Sequence, residues 1–280
     1  MAGGFSQWGN DLYTGRRSYR VVPKIKIWVS AAIGVVLICG LLVITPGLSL
    51  GMEFVGGTEF RVVGTTSTEQ QPALDSVRKT VGGETAPKVS SLAGGGVRVQ
   101  TATLATEETV ELRQDLADAY KVPLSDVSSQ KVSASWGSDV SGKALRGSLI
   151  FLVLVAVAMI LYFRNWAMAV SSIAALIHDL VVTVGVYAAV GFEVTPASLI
   201  GFLTVLGYSM YDTVVIFDKV RENTEGVLDQ SKYTYGEAAN LAVNQTMVRS
   251  INTSAVALLP VAAILFIGWT LLGPSSLHDI

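Results

Sequence analysis

Apolar residues along this chain are gathered into five long runs, and polar residues are gathered between them. The runs cover residues 27–45, 144–163, 166–190, 194–217 and 246–272. A helix needs about 20 apolar residues to cross the hydrocarbon core of a bilayer. The pattern therefore predicts a polytopic α-helical membrane protein with five transmembrane helices.

Basic residues predict how these helices are oriented. Five of them precede the first run, and because basic residues stay on the cytoplasmic side, residues 1–26 are expected in the cytoplasm: Arg16, Arg17, Arg20, Lys24 and Lys26. The basic loop 218–245 is expected on the same side, and residues 273–280 on the opposite side. The first run is too long for a signal peptide and lacks a small-residue cleavage site, so an anchor helix is predicted.

One large polar segment, residues 46–143, lies between the first two spans and is expected outside the cytoplasm. Its sequence predicts strands at 58–63, 88–92, 97–104 and 126–136 and helices at 68–81 and 107–121. This βαββαβ order predicts a ferredoxin-like α+β domain. Thr106 is predicted to cap the second of these helices, and Gly94–Gly96 to form a hairpin turn.

Composition excludes several classes of function. Half of the 280 residues are apolar and only 15% are charged, as in a membrane protein. The net charge of −2 comes without a basic patch, which argues against nucleic-acid binding. One cysteine, Cys39, and two histidines predict neither a disulfide framework nor a metal site. No nucleophile–base pair or phosphate loop is present, so neither enzymatic activity nor a cofactor is expected.

The candidate chemistry lies inside the membrane, at Asp212. A carboxylate in an apolar helix costs about 2.5 to 3.5 kcal/mol on insertion scales, so it marks a functional site by default. Tyr208 and Ser209 share its helical face, because residues three and four apart are neighbours on a helix. Two interpretations stay open: Asp212 takes up and releases a proton, or it only hydrogen-bonds a neighbouring helix.

Two further ionisable residues, His178 and Asp179, lie in the middle of the third run. Consecutive residues lie about 100° apart around a helix, so the two side chains are not expected to point the same way. One is a candidate relay group and the other a candidate structural partner.

Polar residues at the cytoplasmic ends of the last two spans are harder to interpret. Asp218 is expected at a solvated interface. Arg249 lies at the start of the last run, just before its continuously apolar part, and Asn252 lies three residues after Arg249. Position alone favours an ordinary cytoplasmic anchor for Arg249, although it also allows a counter-charge for a carboxylate.

Three phrases of the sequence resemble the SecF family. They are Gly-Met-Glu-Phe-Val-Gly-Gly-Thr at 51–58, the segment 207–223 around Asp212, and the segment 244–254 around Arg249. The resemblance covers nearly the whole chain. The residues of the first phrase that carry it are Gly51, Glu53, Phe54, Gly56, Gly57 and Thr58.

The resemblance implies half of a resistance-nodulation-division architecture in the bacterial cytoplasmic membrane. It implies a motor that works with SecD beside the SecYEG channel, with YajC-like subunits as further partners, and uses protons to draw preproteins outward. The intramembrane Asp and Arg of the family fall on Asp212 and Arg249, and a His-Asp pair falls on His178 and Asp179. Protonation of Asp212 from the outer side would weaken its pairing with Arg249 or with a cation on SecD.

Three departures from the family pattern qualify this expectation. Glu53 stands where the family usually has Asp, and Tyr211 stands where Asn commonly precedes the intramembrane Asp. SecF proteins have six spans, whereas this chain ends at Ile280, about where the sixth is expected. A truncation before the sixth helix is therefore predicted.

Two other functions fit the same pattern. The chain can be half of a proton-driven exporter of small molecules or lipids, which predicts a substrate-dependent proton flux. It can also be a non-transporting scaffold or receptor, which predicts that neutral replacements of the membrane carboxylates are tolerated.

Overall fold

The computed structural model describes residues 4–45, 47–65, 67, 69–82, 87–92 and 95–272. The helices are α1 (Gly4–Tyr13), α2 (Ile25–Ile44), α3 (Met52–Val55), α4 (Gln71–Val81), α5 (Thr106–Tyr120), α6 (Ala134–Phe163), α7 (Trp166–Val190), α8 (Pro196–Thr224) and α9 (Tyr235–Leu272). The strands are β1 (Ser49–Leu50), β2 (Gly57–Val62), β3 (Lys88–Ser91), β4 (Val97–Thr101), β5 (Val127–Val132) and β6 (Glu193–Val194).

Five helices of this described part are long and apolar enough to cross a membrane, namely α2 with the turn before it, α6, α7, α8 and α9 up to Ile267. The prediction of a multi-pass helical protein is therefore confirmed. The expectations for residues 273–280 and for a sixth span lie outside the described residues.

Several helices are longer than the apolar runs that predicted them. The strand predicted to reach Trp136 ends at Val132, and Trp136 lies in the first turn of α6. Its backbone N–H donates to the Ser133 hydroxyl at 3.2 Å, which caps the helix there. The apolar run of this span, beginning at residue 144, marks only the part of α6 that suits a bilayer.

The predicted cytoplasmic loop 218–245 is also mostly helical. Helix α8 continues to Thr224, and α9 already begins at Tyr235. The start of α9 is fixed by a reciprocal cap, in which the Thr234 N–H donates to the Glu237 carboxylate at 2.9 Å and the Glu237 N–H donates to the Thr234 hydroxyl at 3.3 Å. Polar helical turns carry no apolar signal, so hydropathy missed them.

The described chain forms two compact units, of which one holds residues 49–147, 192–197 and 260–272. Its antiparallel sheet has the strand order β3-β4-β2-β5, and Phe60 of β2 pairs with Val99 of β4 and with Ser129 of β5. With α4 and α5 in the connections, this is the predicted ferredoxin-like βαββαβ topology. The helices and one face of the sheet share a buried core built from Phe60, Val62, Ala73, Val77, Val97, Val99, Leu104, Leu112, Leu116, Ala117, Tyr120 and Val127.

Two local details of this domain were predicted with different success. Thr106 does not cap α5; the residue before the helix is Ala105, whose N–H donates to the Glu108 carboxylate at 2.7 Å. Thr106 already belongs to the first helical turn, and Glu108 therefore supplies the cap. The predicted glycine turn is confirmed over its described residues, since Gly95 and Gly96 have positive φ angles of 95° and 125°.

A second, very short sheet joins the turn between α7 and α8 to the start of this unit. Strand β6 pairs in parallel with β1, with Ser49 opposite Glu193. The Glu193 carboxylate lies 2.9 Å from the Lys88 ammonium and 3.5 Å from the Arg98 guanidinium. The α7–α8 turn is thereby tied to strands β1, β3 and β4.

The other unit contains residues up to 48, 148–191 and 198–259. Helices α2 and α7 pack closely, because Gly185 has no side chain: a Cβ there would lie 2.8 Å from the Cα of Cys39. Small residues allow such close approach between membrane helices. A second contact is apolar and joins Met159, Phe163 and Met168 to Met210, Val214, Phe217 and Val220.

Candidate proton-coupling site

The carboxylate of Asp212 faces helix α9. The Ser250 hydroxyl donates to Asp212 Oδ1 at 2.8 Å, and Asp212 is half-buried. The contact links residues of α8 and α9 that both lie in the phrases of the sequence that carry the family resemblance. Ser250 follows Arg249 directly, so its place in the third phrase, residues 244–254, is the signal by which it could have been found.

Arg249 contacts Tyr211 in this structure. A guanidinium nitrogen donates to the Tyr211 hydroxyl at 2.8 Å, and the guanidinium carbon lies 5.7 Å from the centre of the Tyr211 ring. The expected ion pair between Arg249 and Asp212 is not formed within 4.0 Å among the described residues. The physical reason is that the neighbours Arg249 and Ser250 point in different directions around α9, and Ser250 is the one that meets Asp212.

The second carboxylate, Asp179, joins α7 to α8. The Ser209 hydroxyl donates to Asp179, so Ser209 serves this carboxylate although it shares a helical face with Asp212. His178 Nδ1 lies 3.2 Å from the other carboxylate oxygen of Asp179. The two neighbours were expected to point apart, but the imidazole turns towards Asp179 and the pair forms a continuous polar group.

The other predicted residues lie around these contacts. Tyr208 is 57% exposed on α8. Asp218 is exposed and, together with Arg249 and Asn252, lines a cavity of about 1000 Å³ between α1, α8 and α9. The part of α8 beyond Asp212 therefore borders a space that also reaches Arg249.

Helix α1, which the sequence analysis missed, forms one wall of this cavity. Leu12 is fully buried, and a Cβ at Gly9 would lie 3.1 Å from the Val248 side chain. The spacing of Phe5, Trp8 and Leu12 at three and four residues was the available signal for an amphipathic helix.

Two asparagines of α9 hold the segment that follows α1. Asn244 accepts from the Tyr19 N–H at 2.7 Å and donates to the Tyr19 carbonyl at 3.0 Å. Asn240 accepts from the Val21 and Val22 N–H groups at 2.9 and 3.0 Å. Both side chains are buried, and they supply hydrogen-bond partners to backbone groups of the segment between α1 and α2.

The glycines of the first family phrase have a structural role. The Gly51 N–H donates to the Val194 carbonyl at 2.8 Å. Gly56 has a φ of 77°, and a Cβ at this position would lie only 2.8 Å from the Cα of Ala134. A Cβ at Gly57 would lie only 2.6 Å from the Thr101 carbonyl oxygen. The buried Thr58 hydroxyl accepts from the Leu104 N–H at 3.1 Å.

Two members of the phrase lie in the short helix α3. Glu53 is in its first turn. Phe54 is buried, and its carbonyl accepts from the Ser141 hydroxyl at 3.3 Å. The phrase therefore shapes the entry into strand β2 and contributes no group to the Asp212 contacts.

An unpredicted charge cluster lies on the sheet face that α4 and α5 leave uncovered. Glu59 is only 3% exposed, with its carboxylate 2.6 Å from Arg61 and 2.7 Å from Arg98, and Gln100 donates to it at 3.2 Å. Burial raises the pKa of Glu59, but the hydrogen bonds from Arg61 and Arg98 outweigh it, so that the pKa lies below its ordinary value.

Metal chemistry has no candidate site in the described part of the chain, where no group of three or more His, Cys, Asp or Glu side chains is placed to hold an ion. The candidates for proton exchange among the described residues are Asp212 and Asp179. Both carboxylates lie in membrane-spanning helices and hydrogen-bond a serine of a neighbouring helix.

Five apolar helices among the described residues, with an α+β domain between the first two of them, define a multi-pass membrane protein. Residues 112–280, more than half of the chain, match the family "Protein export membrane protein SecD/SecF, C-terminal". The chain belongs to the SecF family, the accessory subunits of Sec protein export.

Individual relatives agree with this assignment. The chain is 42% identical over 274 residues to protein translocase subunit SecF of Streptomyces coelicolor, which covers 97% of this chain and 72% of that protein. It is 38% identical over 280 residues to SecF of Mycobacterium tuberculosis strain H37Rv, with coverages of 96% and 62%. The chain thus spans between three fifths and three quarters of the length of these relatives.

A solved structure has the same fold. The crystal structure of SecDF from Thermus thermophilus, described as a translocon-associated membrane protein, superimposes with a TM-score of 0.78 at 24% identity. The match covers 94% of this chain and 36% of the SecDF chain. The fold of this chain is therefore shared with part of SecDF.

Proposed function

We propose that this chain uses the proton gradient, together with SecD, to promote the late stage of preprotein translocation through SecYEG. The observation that carries the proposal is the double contact between α8 and α9: Asp212 with Ser250, and Arg249 with Tyr211. A carboxylate and a cation lie on facing helices, and each holds a different partner. Such a pair can exchange partners when the carboxylate gains or loses a proton.

SecD is the first partner that we propose. Protein translocase subunit SecDF of Thermus thermophilus is 28% identical to this chain over 239 residues, which are 82% of this chain but only 31% of SecDF. Its name joins SecD and SecF in one polypeptide, which supports a pairing of this chain with a separate SecD. The SecYEG channel, the translocating preprotein and YajC-like subunits are the further proposed partners.

The proposed setting is the bacterial cytoplasmic membrane, with the N-terminus in the cytoplasm. The basic residues before α2 support this orientation. It places residues 46–143 on the outer side, where a translocating preprotein emerges. The role is one of binding and movement, and it requires no enzymatic step.

In the proposed cycle, a proton from the outer side neutralises Asp212. A neutral Asp212 no longer attracts Arg249, and α8 and α9 repack. Movement of α8 would also displace α7, because the Ser209–Asp179 hydrogen bond links the two helices. One charge crossing the membrane yields about 2.3 kcal/mol per 100 mV, which is enough to bias two packing arrangements of helices.

The turn between α7 and α8 offers a route by which such movement reaches the outer domain. This turn contains β6, which pairs with β1, and Glu193, which binds Lys88 and Arg98. A shift of either helix would pull on these contacts. The outer domain would then change its position towards the preprotein and hinder its return.

Asp212→Asn tests the proposal, because it keeps the size of the side chain and removes its ionisation. The variant is expected to be made in normal amounts and to co-purify with SecD and SecYEG. Its stimulation of preprotein export by a proton gradient, measured in membrane vesicles with and without an uncoupler, should be lost. Asp229→Asn, in the turn before α9, is the control and should keep it.

Undiminished stimulation by Asp212→Asn would refute the proton role. Loss of co-purification with SecD would instead indicate an assembly defect. A proton flux that depends on an added small molecule or lipid, without any preprotein, would favour the exporter.

A further inference from the structure

Tyr211 makes two different contacts with one cation. Its hydroxyl oxygen accepts from the Arg249 guanidinium at 2.8 Å, and its ring lies beneath the guanidinium carbon at 5.7 Å. A tyrosine thus offers arginine an acceptor and a negative ring face together. Neither contact involves the Asp212 carboxylate, although Asp212 is the next residue of α8.

We propose that Tyr211 is a positioning residue that holds Arg249 away from Asp212, so that pairing of Arg249 with Asp212 competes with the Tyr211 contact. This inference rests on the proposed function. It assigns a role to a residue that the sequence analysis singled out only as a departure from the family pattern.

The geometry makes the two partners of Arg249 alternatives. Tyr211 and Asp212 are consecutive residues, and their side chains leave α8 in directions about 100° apart. One guanidinium therefore moves from one partner to the other by a change of side-chain rotamer, with little movement of the backbone. The Asp212 carboxylate is meanwhile satisfied by Ser250, whose hydroxyl is 2.8 Å away.

Other charged groups near Arg249 do not replace Tyr211 in this role. Asp218, Lys219 and Glu222 line the same cavity as Arg249. Lys219 and Glu222 bind one another at 2.7 Å. Among the described contacts of Arg249, both polar interactions go to Tyr211.

The consequence concerns the timing of the cycle. With Arg249 held by Tyr211, Asp212 exchanges protons without a fixed counter-charge. Without the Tyr211 contact, Arg249 forms an ion pair with the ionised Asp212, and this ion pair persists. Weakening the Tyr211 contact should therefore slow the cycle even though Asp212 and Arg249 are both present.

Graded substitutions of Tyr211 separate its two contacts. Tyr211→Phe removes the acceptor and keeps the ring, whereas Tyr211→Leu removes both. Proton-driven export stimulation should fall about tenfold in the Phe variant, as for the loss of one hydrogen bond to a charged group, and further in the Leu variant. Tyr162→Phe is the matched control, because Tyr162 lines the same cavity and is 52% exposed, and it should keep the stimulation of the unchanged protein.

A spectroscopic measurement separates a positioning role from a general loss of structure. Infrared difference spectra of the reconstituted protein, recorded between the protonated and deprotonated states, should contain a tyrosine band because Arg249 leaves the Tyr211 hydroxyl. The band should vanish in Tyr211→Phe and persist in Tyr162→Phe. In Asp212→Asn it should vanish as well, because the carboxylate that drives the change is gone.

The inference is overturned if Tyr211→Phe stimulates export like the unchanged protein, or if its difference spectrum keeps the tyrosine band. The Asp212→Asn variant distinguishes this failure from failure of the proposed function. If Asp212→Asn loses stimulation and Tyr211→Phe does not, only the role of Tyr211 is wrong. If Asp212→Asn keeps stimulation, the proton role itself is wrong.

Discussion

The hydroxyl of Ser209 on α8 donates a hydrogen bond to the carboxylate of Asp179 on α7. The residues lie 30 positions apart in the sequence. His178 contacts the same carboxylate from α7 itself. Asp179 therefore ties together the two helices that leave the α7–α8 turn.

Ser209→Ala should weaken this tie. An ionisable group that loses a hydrogen bond inside a membrane helix bundle becomes less well satisfied, at a cost of about 1 to 2 kcal/mol. We expect normal synthesis of the variant and a several-fold fall in proton-driven export stimulation, measured in membrane vesicles.

The control for Ser209→Ala is Thr224→Ala on the same helix. The Thr224 hydroxyl donates at 2.8 Å to the Val220 carbonyl, within its own helix. Its loss should leave export stimulation unchanged. Equal activities of Ser209→Ala and the unchanged protein would show that the α7–α8 tie is not used.

The sequence predicted the elements of the fold better than the contacts between them. Apolar length identified the five spans found among the described residues, and the strands β2 to β5 were predicted near their observed positions, because both kinds of signal are local. The ends of α6, α8 and α9 were missed where their turns are polar. Hydropathy distinguishes segments that suit a bilayer from segments that suit water. It does not distinguish a polar helical turn from a polar loop.

The partners of the site residues needed the structure. Asp212 and Asp179 were found because a carboxylate is rare in an apolar run. Which residue each one meets depends on the depth and rotation of α8 and α9, and no local pattern records these. Arg249 was therefore paired with Asp212 by analogy, whereas Ser250 and Tyr211 are the side chains in contact.

The buried Glu59 carboxylate should make the α+β domain sensitive to acid. Its pKa in the folded protein lies below its ordinary value, because Arg61 and Arg98 outweigh the opposing effect of burial. Its contribution to stability is thus complete above the ordinary pKa and is lost as the pH falls through the folded-state pKa. The free energy of unfolding should decrease accordingly when the pH is lowered from neutral into the acid range.

Glu59→Gln tests this expectation. Removing the Glu59 charge leaves the largely buried Arg98 with Glu193, at 3.5 Å, as its carboxylate partner, and we expect a loss of about 3 kcal/mol at neutral pH. The acid-dependent decrease should also become smaller. Pulse proteolysis of the whole protein in urea, at several pH values, measures both effects.

Glu111→Gln provides the comparison for Glu59→Gln, because Glu111 is an exposed residue of α5. It should keep the stability and the acid dependence of the unchanged protein. An acid dependence of the same size in Glu59→Gln would contradict the assignment, since another group would then be responsible.

The segment after α1 should be released when Asn244 is replaced. Asn244 is fully buried and holds both the N–H and the carbonyl of Tyr19, at 2.7 and 3.0 Å. Asn244→Ala removes the partner of the Tyr19 N–H at a cost of about 1 to 3 kcal/mol, so the local opening of the segment becomes more frequent. The Tyr19 carbonyl keeps the Asn240 side chain, which donates to it at 3.0 Å. Trypsin should then cut beside Arg17 and Arg20 about tenfold faster in the detergent-solubilised protein, as measured by mass spectrometry. Gln230→Ala, whose side chain binds only within its own loop, should leave the rate unchanged, and equal rates for Asn244→Ala would mean that other contacts of α1 hold the segment.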